Sequence, residues 1–191
     1  PGLAGVSSCG TVIQQSNSVT IGGVGAAPVK NAVEPQIEQN VPLASVPSTI
    51  EAMLGMTTEE LNSYRVDALP SGKFSGIYYL DHDVGPLDFG NFSSGILIIH
   101  NATSSAVLHA NNGFFKGIII TDLLNKINGN LTVLGGIFTI RDGVDVETFV
   151  TGTATIRYSS QILNNLEKYC TNVRRRVSVL SWSEIPPVSN P

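Results

Sequence analysis

A short pattern recurs along the second half of the chain: one glycine followed by a run of aliphatic residues. It occurs at 76–80, 95–99, 117–120 and 136–140, with a weaker copy at 152–156. The glycines are 19, 22, 19 and 16 residues apart. A nearly constant period of about 20 residues is typical of repeat architectures, in which each unit stacks on the next. The intervals therefore predict a short right-handed parallel β-solenoid in a mostly β protein.

The segments between the repeats favour the same interpretation. Apolar stretches at 106–109 and 131–134 predict secondary strands, and Asn-Gly turns at 111–113 and 128–130 separate them. We expect glycine and asparagine at the corners of the coils, where a positive φ is needed. Equivalent residues should then stack in columns: Leu97, Ile119 and Phe138 in one, and Ile99, Thr121 and Ile140 in another.

An antiparallel β-sandwich is the alternative fold, because short strands with turn signals suit it as well. Two features favour the solenoid. The predicted strands are almost continuously apolar rather than alternating, as buried parallel strands are, and the unit recurs at nearly fixed length.

The pattern divides the chain into four segments. Residues 1–56 predict an N-terminal extended segment with short strands, packed on the core. Residues 57–70 predict a short helix, with Thr57 as its N-cap and two carboxylates in its first turn, and a linker. The solenoid coils occupy 71–158. Residues 159–191 predict a capping helix, which would cover an open end of the solenoid, and a final strand.

Composition excludes several classes of protein. Only 14% of the residues are charged, against about 25% in an average soluble domain. The net charge of −4 and the pI of 5.3 predict no nucleic-acid partner, since no broad basic face is available. The apolar runs are strand-sized, against the roughly 20 residues of a spanning helix, so we expect no membrane span within this chain.

The chain has two cysteines, Cys9 and Cys170, near the opposite ends of the predicted ordered region. Two thiols cannot complete a four-ligand zinc site, and neither belongs to a Cys-x-x-Cys motif. A disulfide between them would join the first ordered segment to the last and would imply an oxidising compartment. The alternative is a pair of buried, unlinked thiols. We predict the disulfide.

Two groups of polar residues are candidates for metal binding or catalysis: an aspartate-rich stretch at 81–88 and a pair of histidines. Asp81, His82, Asp83 and the nearby Asp88 could supply oxygen ligands to Ca²⁺, or a base with a carboxylate beside it, but the spacing of an EF-hand is missing and a solvated loop is the favoured interpretation. His100 and His109 could share a metal only if they faced one corner, and no third ligand is evident. We therefore predict no catalytic, cofactor-binding or metal-binding residue.

Three further motifs fit structural roles better than chemical ones. The tripeptide 141–143 has the sequence Arg-Asp-Gly, which is ordinary turn chemistry, and the run Arg174–Arg175–Arg176 is best explained as a solvated charge run. Carboxylates on one face would be needed for a polysaccharide lyase or hydrolase, but no two occupy convincingly equivalent positions in adjacent coils. The residues considered for that role are Asp122, Asp142, Asp145 and Glu147, with Arg141 or Arg157.

Three parts of the sequence resemble PilX-type pilus-assembly proteins: Thr-Thr-Glu-Glu-Leu at 57–61, the stretch Gly-Thr-Ala-Thr-Ile-Arg-Tyr-Ser-Ser at 152–160, and Leu-Ser-Trp-Ser-Glu at 180–184. The resemblance covers about residues 55–185. It implies an exported surface domain with a β-helix-like repeat, located at the cell surface, in the periplasm or outside the cell, and preceded by a pilin-like helix that this sequence lacks. It assigns no catalytic residues.

Together these observations predict a non-enzymatic extracellular structural or adhesion domain that meets protein partners at a pilus or cell surface. One alternative is a solenoid that binds or acts on carbohydrate. The aromatic residues look scattered in sequence register and count mildly against it; they are Tyr78, Tyr79, Phe89, Phe92, Phe114 and Phe115. The other alternative is a scaffold that forms polymers by stacking end to end through its coil edges.

Overall fold

The fold was analysed in a computed structural model. The structure describes residues 4–7, 11–14, 17–42, 47, 49–90, 92–101, 106–110, 113–122, 124–140, 148–150 and 152–173. It is mostly β, with 43% strand and 13% helix, and contains a β-solenoid of about 3 turns. The predicted fold class is confirmed.

Fourteen strands and three short α-helices make up the described part of the chain. The strands are β1 (Val6–Ser7), β2 (Val12–Gln14), β3 (Thr20–Gly23), β4 (Ala26–Lys30), β5 (Ile37–Glu38), β6 (Ser75–Leu80), β7 (Pro86–Asp88), β8 (Ser93–Ile99), β9 (Ala106–Ala110), β10 (Phe114–Thr121), β11 (Leu124–Gly129), β12 (Thr132–Thr139), β13 (Thr148–Val150) and β14 (Thr155–Tyr158). The helices are α1 (Ile50–Leu54), α2 (Thr58–Asn62) and α3 (Ser160–Leu163), followed by a 3-10 helix (Leu166–Tyr169).

The strands form two sheets whose members alternate along the chain. The larger sheet runs in the order β4-β3-β14-β12-β10-β8-β6, and the smaller sheet in the order β2-β13-β11-β9-β7. Each coil contributes one strand to each sheet, and neighbouring coils pair in parallel. We call each strand of the larger sheet a rung; two strands that lie end to end beside the same neighbour share one rung. Among the strands that the structure describes, only the β3–β4 pair, at one end of the larger sheet, is antiparallel.

The N-terminal segment extends the solenoid instead of lying over it. Gly135 of β12 is the Cα partner of Tyr158, whereas Phe138 of the same strand is the partner of Ser7. Because β10 occupies the other edge of β12, β14 and β1 share one rung, although they come from opposite ends of the sequence. β2 then adds to β13, and β3 adds to β14.

The main core lies between the two sheets. Side chains at alternate positions of the larger sheet point inward, and Leu97, Ile119 and Val133 are fully buried. At the β6 end the core is closed by aromatic rings: Phe74 lies 6.2 Å from Phe115, and Phe89 lies 5.6 Å from Phe115, between ring centroids. This packing explains why the strands carry so little polar sequence.

The outer face of the larger sheet is buried as well. Ile77, Ile98 and Ile120 form a second hydrophobic cluster with Ile50 of α1 and Leu61 of α2. Helix α2 has the N-cap predicted at Thr57, in a capping box with Glu60. Helix α3 and the 3-10 helix cross the same face against β12, β10 and β8, so α3 lies on a sheet face and not over an open end of the solenoid.

Four glycines lie side by side in the larger sheet: Gly76, Gly95, Gly117 and Gly135 are successive Cα partners. Their φ angles lie between +119° and +148°. A Cβ built on Gly117 would lie 1.8 Å from the carbonyl oxygen of Gly95, and one on Gly95 would lie 1.9 Å from that of Gly76. These glycines therefore lie within strands, not at the corners where we expected them, and they let adjacent rungs approach each other closely.

The register corrects two predicted columns. Leu97 pairs with Ile119 as expected, but the third member is Ile137 and not Phe138. Thr121 pairs with Ile99 and Thr139, so Ile140 is also displaced by one residue. The cause is the Gly135–Gly136 pair, in which the first glycine is the one that stacks. Residues 132–134 likewise begin β12 and do not form a separate strand.

The free edge of β6 is sealed by the chain that follows the 3-10 helix. The Ile77 N–H donates to Oδ1 of Asn172 at 2.6 Å, and Nδ2 of Asn172 donates to the Ile77 carbonyl at 2.8 Å. Next to it, the Val66 N–H donates to the Tyr79 carbonyl, and the Thr171 hydroxyl donates to the Ser75 carbonyl. The edge groups of this strand are thus occupied by the protein itself.

The glycine column gives a test of the close approach between rungs. Gly117→Ala should lower the free energy of unfolding by about 3 kcal/mol or more, since the new methyl group meets backbone and the φ disfavours any side chain. Gly85→Ala is the matched control, because nothing lies within 4 Å of its Cβ position. Urea denaturation of both variants provides the measurement, and equal losses would contradict the close approach.

Candidate functional site

The most polar part of the described fold is the corner that follows the larger sheet. Leu80, Ile99 and Thr121 are successive Cα partners, so the residues after them, Asp81, His100 and Asp122, come to the same corner on three neighbouring rungs. Because the rungs are only about 4.8 Å apart, side chains that leave the sheet here must interact with one another.

An imidazole and a carboxylate pair at this corner. Nδ1 of His100 contacts Oδ2 of Asp122, in a pair where the imidazole is half exposed and the carboxylate is mostly buried. Beneath it, the buried Thr121 hydroxyl donates to Oδ1 of Asn101 at 3.3 Å. A carboxylate on Nδ1 fixes the orientation of a histidine ring, as it does in many catalytic sites. The Thr121 hydroxyl, however, is fully buried, so it offers a substrate no accessible nucleophile.

The neighbouring rung carries an ion pair. Nη1 of Arg65 lies 3.0 Å from Oδ2 of Asp81, and the Tyr79 hydroxyl is hydrogen-bonded to the same carboxylate. Burial, and then the nearby carboxylates of Asp81, Glu51 and Asp122, raise the pKa of Tyr79 to about 12. The polar groups of this corner therefore bind one another, and the arrangement joins successive coils.

The predicted polar clusters are only partly brought together. Asp81, His82 and Asp83 lie between β6 and β7, as the solvated-loop interpretation expected, while the side chain of Asp88 lies outside the described residues. His100 follows β8, but His109 lies within β9 of the other sheet, so the two do not share a corner. Within the described ranges, no group of three or more His, Cys, Asp or Glu side chains is placed to hold a metal ion.

Several other candidate residues cannot be placed. The Arg-Asp-Gly tripeptide, the run Arg174–Arg175–Arg176 and the predicted final strand lie outside the described residues, as do Asp142, Asp145 and Glu147. Arg157 is exposed on β14. None of the helices in the described ranges is long and apolar enough to cross a membrane.

The aromatic residues are not scattered, and that sequence inference was wrong. Tyr78, Phe89 and Phe115 contribute to the closed end of the core. Phe92 and Phe114 instead form a pair on the surface, with ring centroids 5.7 Å apart. Sequence reasoning missed this pair because Phe92 precedes β8, outside the repeat that was used to align the coils. Counting back from Gly95 and Gly117 would have placed both rings on neighbouring rungs.

Residues 160–170, which contain α3 and the 3-10 helix, form a crossing segment on the outer face of the larger sheet. Cys170, at the end of this crossing segment, has a buried thiol in the cluster that includes Ile77 and Ile96. Burial raises the pKa of the Cys170 thiol to about 11, partly offset by a hydrogen bond with the Ile96 backbone. Cys9 lies outside the described residues, so the Cys9–Cys170 disulfide stays a prediction.

Comparison of the chain with protein-family models, with curated proteins and with solved structures finds no match.

The raised pKa of Tyr79 predicts a loss of stability at high pH. The phenol is protonated in both states below pH 10, its ordinary value. Above pH 10 it ionises first in the unfolded chain, so stability falls as the pH rises from 10 towards 12, by about 2 to 3 kcal/mol in total. Tyr79→Phe should remove this component, measured by urea denaturation at pH 8 to 12. An unchanged slope in the variant would contradict the assignment.

The disulfide can be tested by counting thiols in unfolded protein. A buried free thiol with a raised pKa reacts slowly with iodoacetamide, and a disulfide-bonded cysteine does not react at all. Alkylation of the native protein therefore does not distinguish the two states. Alkylation in denaturant without reductant should label neither cysteine, and labelling after reduction should reach both, as read by mass spectrometry. Two labels before reduction would exclude the disulfide.

Proposed function

We propose that this chain is a non-enzymatic structural domain of a pilus or another cell-surface assembly, exported from the cell and in contact with protein partners. The observation that carries the proposal is the closure of the solenoid at the edges of its strands. A rod whose edges are occupied by its own groups is suited to being displayed as a single unit, because unpaired strand edges would otherwise recruit further copies.

The β6 edge supports this proposal most directly. In the coils that follow, the space beside each stacked glycine is filled by the carbonyl group of the preceding rung. At Gly76, which has no preceding rung in the sheet, the Asn172 side chain fills it instead, with Oδ1 2.4 Å from the position of a Cβ. The carboxamide thus takes the place of a peptide group and ends the stack.

The opposite end is closed by different means. Strand β4 runs antiparallel to β3 and contains Pro28, which has no N–H to donate to a further strand. In the smaller sheet, the Val12 N–H of β2 donates to Oε1 of Gln39 at 2.7 Å, and the β7 edge begins with Pro86. These features weigh against the alternative of a scaffold that polymerises through its coil edges.

The polar corner supports a non-enzymatic role. Asp81 is engaged by Arg65 and Tyr79, Asp122 is engaged by His100, and the nearest buried hydroxyl is closed to solvent. These contacts tie successive coils together, which is what a rod that transmits force along a filament requires. The sequence resemblance to PilX-type proteins supplies the pilus part of the proposal.

Closure by Asn172 predicts a change of oligomeric state on mutation. Asn172→Ala should leave the Ile77 N–H and carbonyl without partners, lower the free energy of unfolding by about 1 to 3 kcal/mol, and promote association at high concentration. Asn164→Ala removes an exposed amide from the crossing segment and is the control. Light scattering across a hundredfold concentration range would test this; association of the wild type itself would favour the polymer-forming alternative.

The role itself is tested in the organism that carries the gene. Immunogold labelling should place the protein on the cell surface or on filaments, and deletion of the gene should reduce filament number or cell attachment, with complementation restoring both. Labelling confined to the cytoplasm would overturn the proposal.

A further inference from the structure

A column of surface residues begins at Phe92, just before β8, and crosses five further strands of the larger sheet. Phe115 is the Cα partner of Ser93, which sets Phe92 beside Phe114, and the partners continue without a break to the last strand. At about 4.8 Å per strand the column is about 24 Å long. Its members are Phe92, Phe114, Thr132, Thr155, Thr20 and Lys30.

Phe92 is held on the surface at a conformational cost. Its side chain is 64% exposed, and its φ is +64°, a left-handed conformation that is rare for bulky residues. The ring packs against Phe114 at 5.7 Å, and Nζ of Lys116 lies 5.5 Å from the centroid of the Phe114 ring. Strained and exposed residues of this kind are concentrated at binding sites, and burial does not explain this one.

Two neighbouring outward columns carry three cations, although the chain has a net charge of −4. A second column on the same face, two residues further along each strand, runs beside the first and contains Ser94, Lys116, Leu134, Arg157 and Gly22. The two columns together hold Lys116, Arg157 and Lys30 and no aspartate or glutamate. On the 3-10 helix that packs against β8 and β10, Glu167 and Lys168 have opposite charges.

We propose that these two columns bind an acidic polysaccharide. The C–H faces of sugar rings pack on Phe92 and Phe114, their carboxylates pair with Lys116, Arg157 and Lys30, and the threonine hydroxyls bond to sugar hydroxyls. The Thr20 and Thr155 hydroxyls are hydrogen-bonded to each other at 3.3 Å, and each hydroxyl has further hydrogen-bonding capacity for a sugar hydroxyl. This goes beyond the structural role proposed above, which requires no glycan.

Other extended partners fit the surface less well. A peptide that adds a strand needs a free sheet edge, and the β6 edge is occupied. A nucleic acid carries a charge at every nucleotide and is normally met by a denser run of cations. Lys116, Arg157 and Lys30 stand on every second strand, roughly 10 Å apart, and this spacing suits a polymer with one carboxylate per disaccharide, as in hyaluronan.

Binding can be measured by biolayer interferometry with the full chain immobilised. Polygalacturonate, alginate and hyaluronan are the probes, dextran is the neutral comparison, and a 20-nucleotide oligothymidylate is the rival polyanion. We expect at least one acidic polysaccharide to bind, with an affinity that falls as salt is raised. Binding of none of the three, equal binding of dextran, or tighter binding of the oligothymidylate would overturn the proposal.

Variants locate the binding on the two columns. Phe114→Ala and the double variant Lys116→Gln/Arg157→Gln should each weaken binding about tenfold. Lys126→Gln, which removes one positive charge from the smaller sheet, should leave it unchanged. Equal affinities in all of these variants would exclude the surface.

Phe92→Gly separates binding from folding. Glycine accepts the positive φ, and little apolar burial is lost, so the melting temperature should stay the same or rise while the affinity for the acidic polysaccharide falls. A variant that binds as tightly as the wild type would show that the exposed ring is not used.

Discussion

The close approach of neighbouring rungs at four aligned glycines is the constraint on which the rest of this fold depends. At Gly95, Gly117 and Gly135, a side chain would overlap the carbonyl oxygen of the preceding rung. With the rungs held in this register, alternate side chains fall into inward columns that fill the space between the sheets and into outward columns. Helices α1 and α2 and residues 160–170 cover the outward columns that contain Ile96 and Ile98. Residues that leave the sheet at the corner fall into register too. That register is why Asp122 meets His100, although no sequence motif indicates this pair.

The architecture could be predicted from the repeat, but the register could not. The glycine interval is enough to indicate stacked coils, because few other folds need a small residue at a fixed spacing beside apolar runs. Two consecutive glycines, Gly135 and Gly136, leave the alignment of β12 ambiguous by one residue, and only the packing of Gly135 on Gly117 settles it. The repeat did not predict how the N-terminal strands pair, because no local feature of Thr20–Gly23 indicates pairing with Thr155 and its neighbours. The surface pair of Phe92 and Phe114 was missed for a similar reason, because one ring precedes the repeat.

Polar side chains complete the solenoid where the backbone cannot. Asn172 replaces a missing rung at Ile77, Gln39 satisfies the outer edge of β2, and the amide of Gln14 bonds both the N–H and the carbonyl of Ala32. A single residue is enough for this role, because the carboxamide of Asn or Gln has both a donor and an acceptor, as a peptide group does. Such groups occupy strand-edge positions at both ends of the described sheets, where a further strand would otherwise pair.

The pairing of N-terminal strands with the last coils of the solenoid favours an order of folding. Thr20 and Thr155, which meet through their hydroxyls, are 135 residues apart in the chain, and closing a loop of that length is slow compared with pairing neighbouring coils. The coils from β6 to β13 can form from contacts between consecutive segments. Strands β1, β2 and β3 can join the solenoid only once their partners β12, β13 and β14 exist, so we expect them to join it last. In a chain that emerges N-terminus first, whether from a ribosome or across a membrane, the leading segment stays available to other proteins until the final coil has arrived.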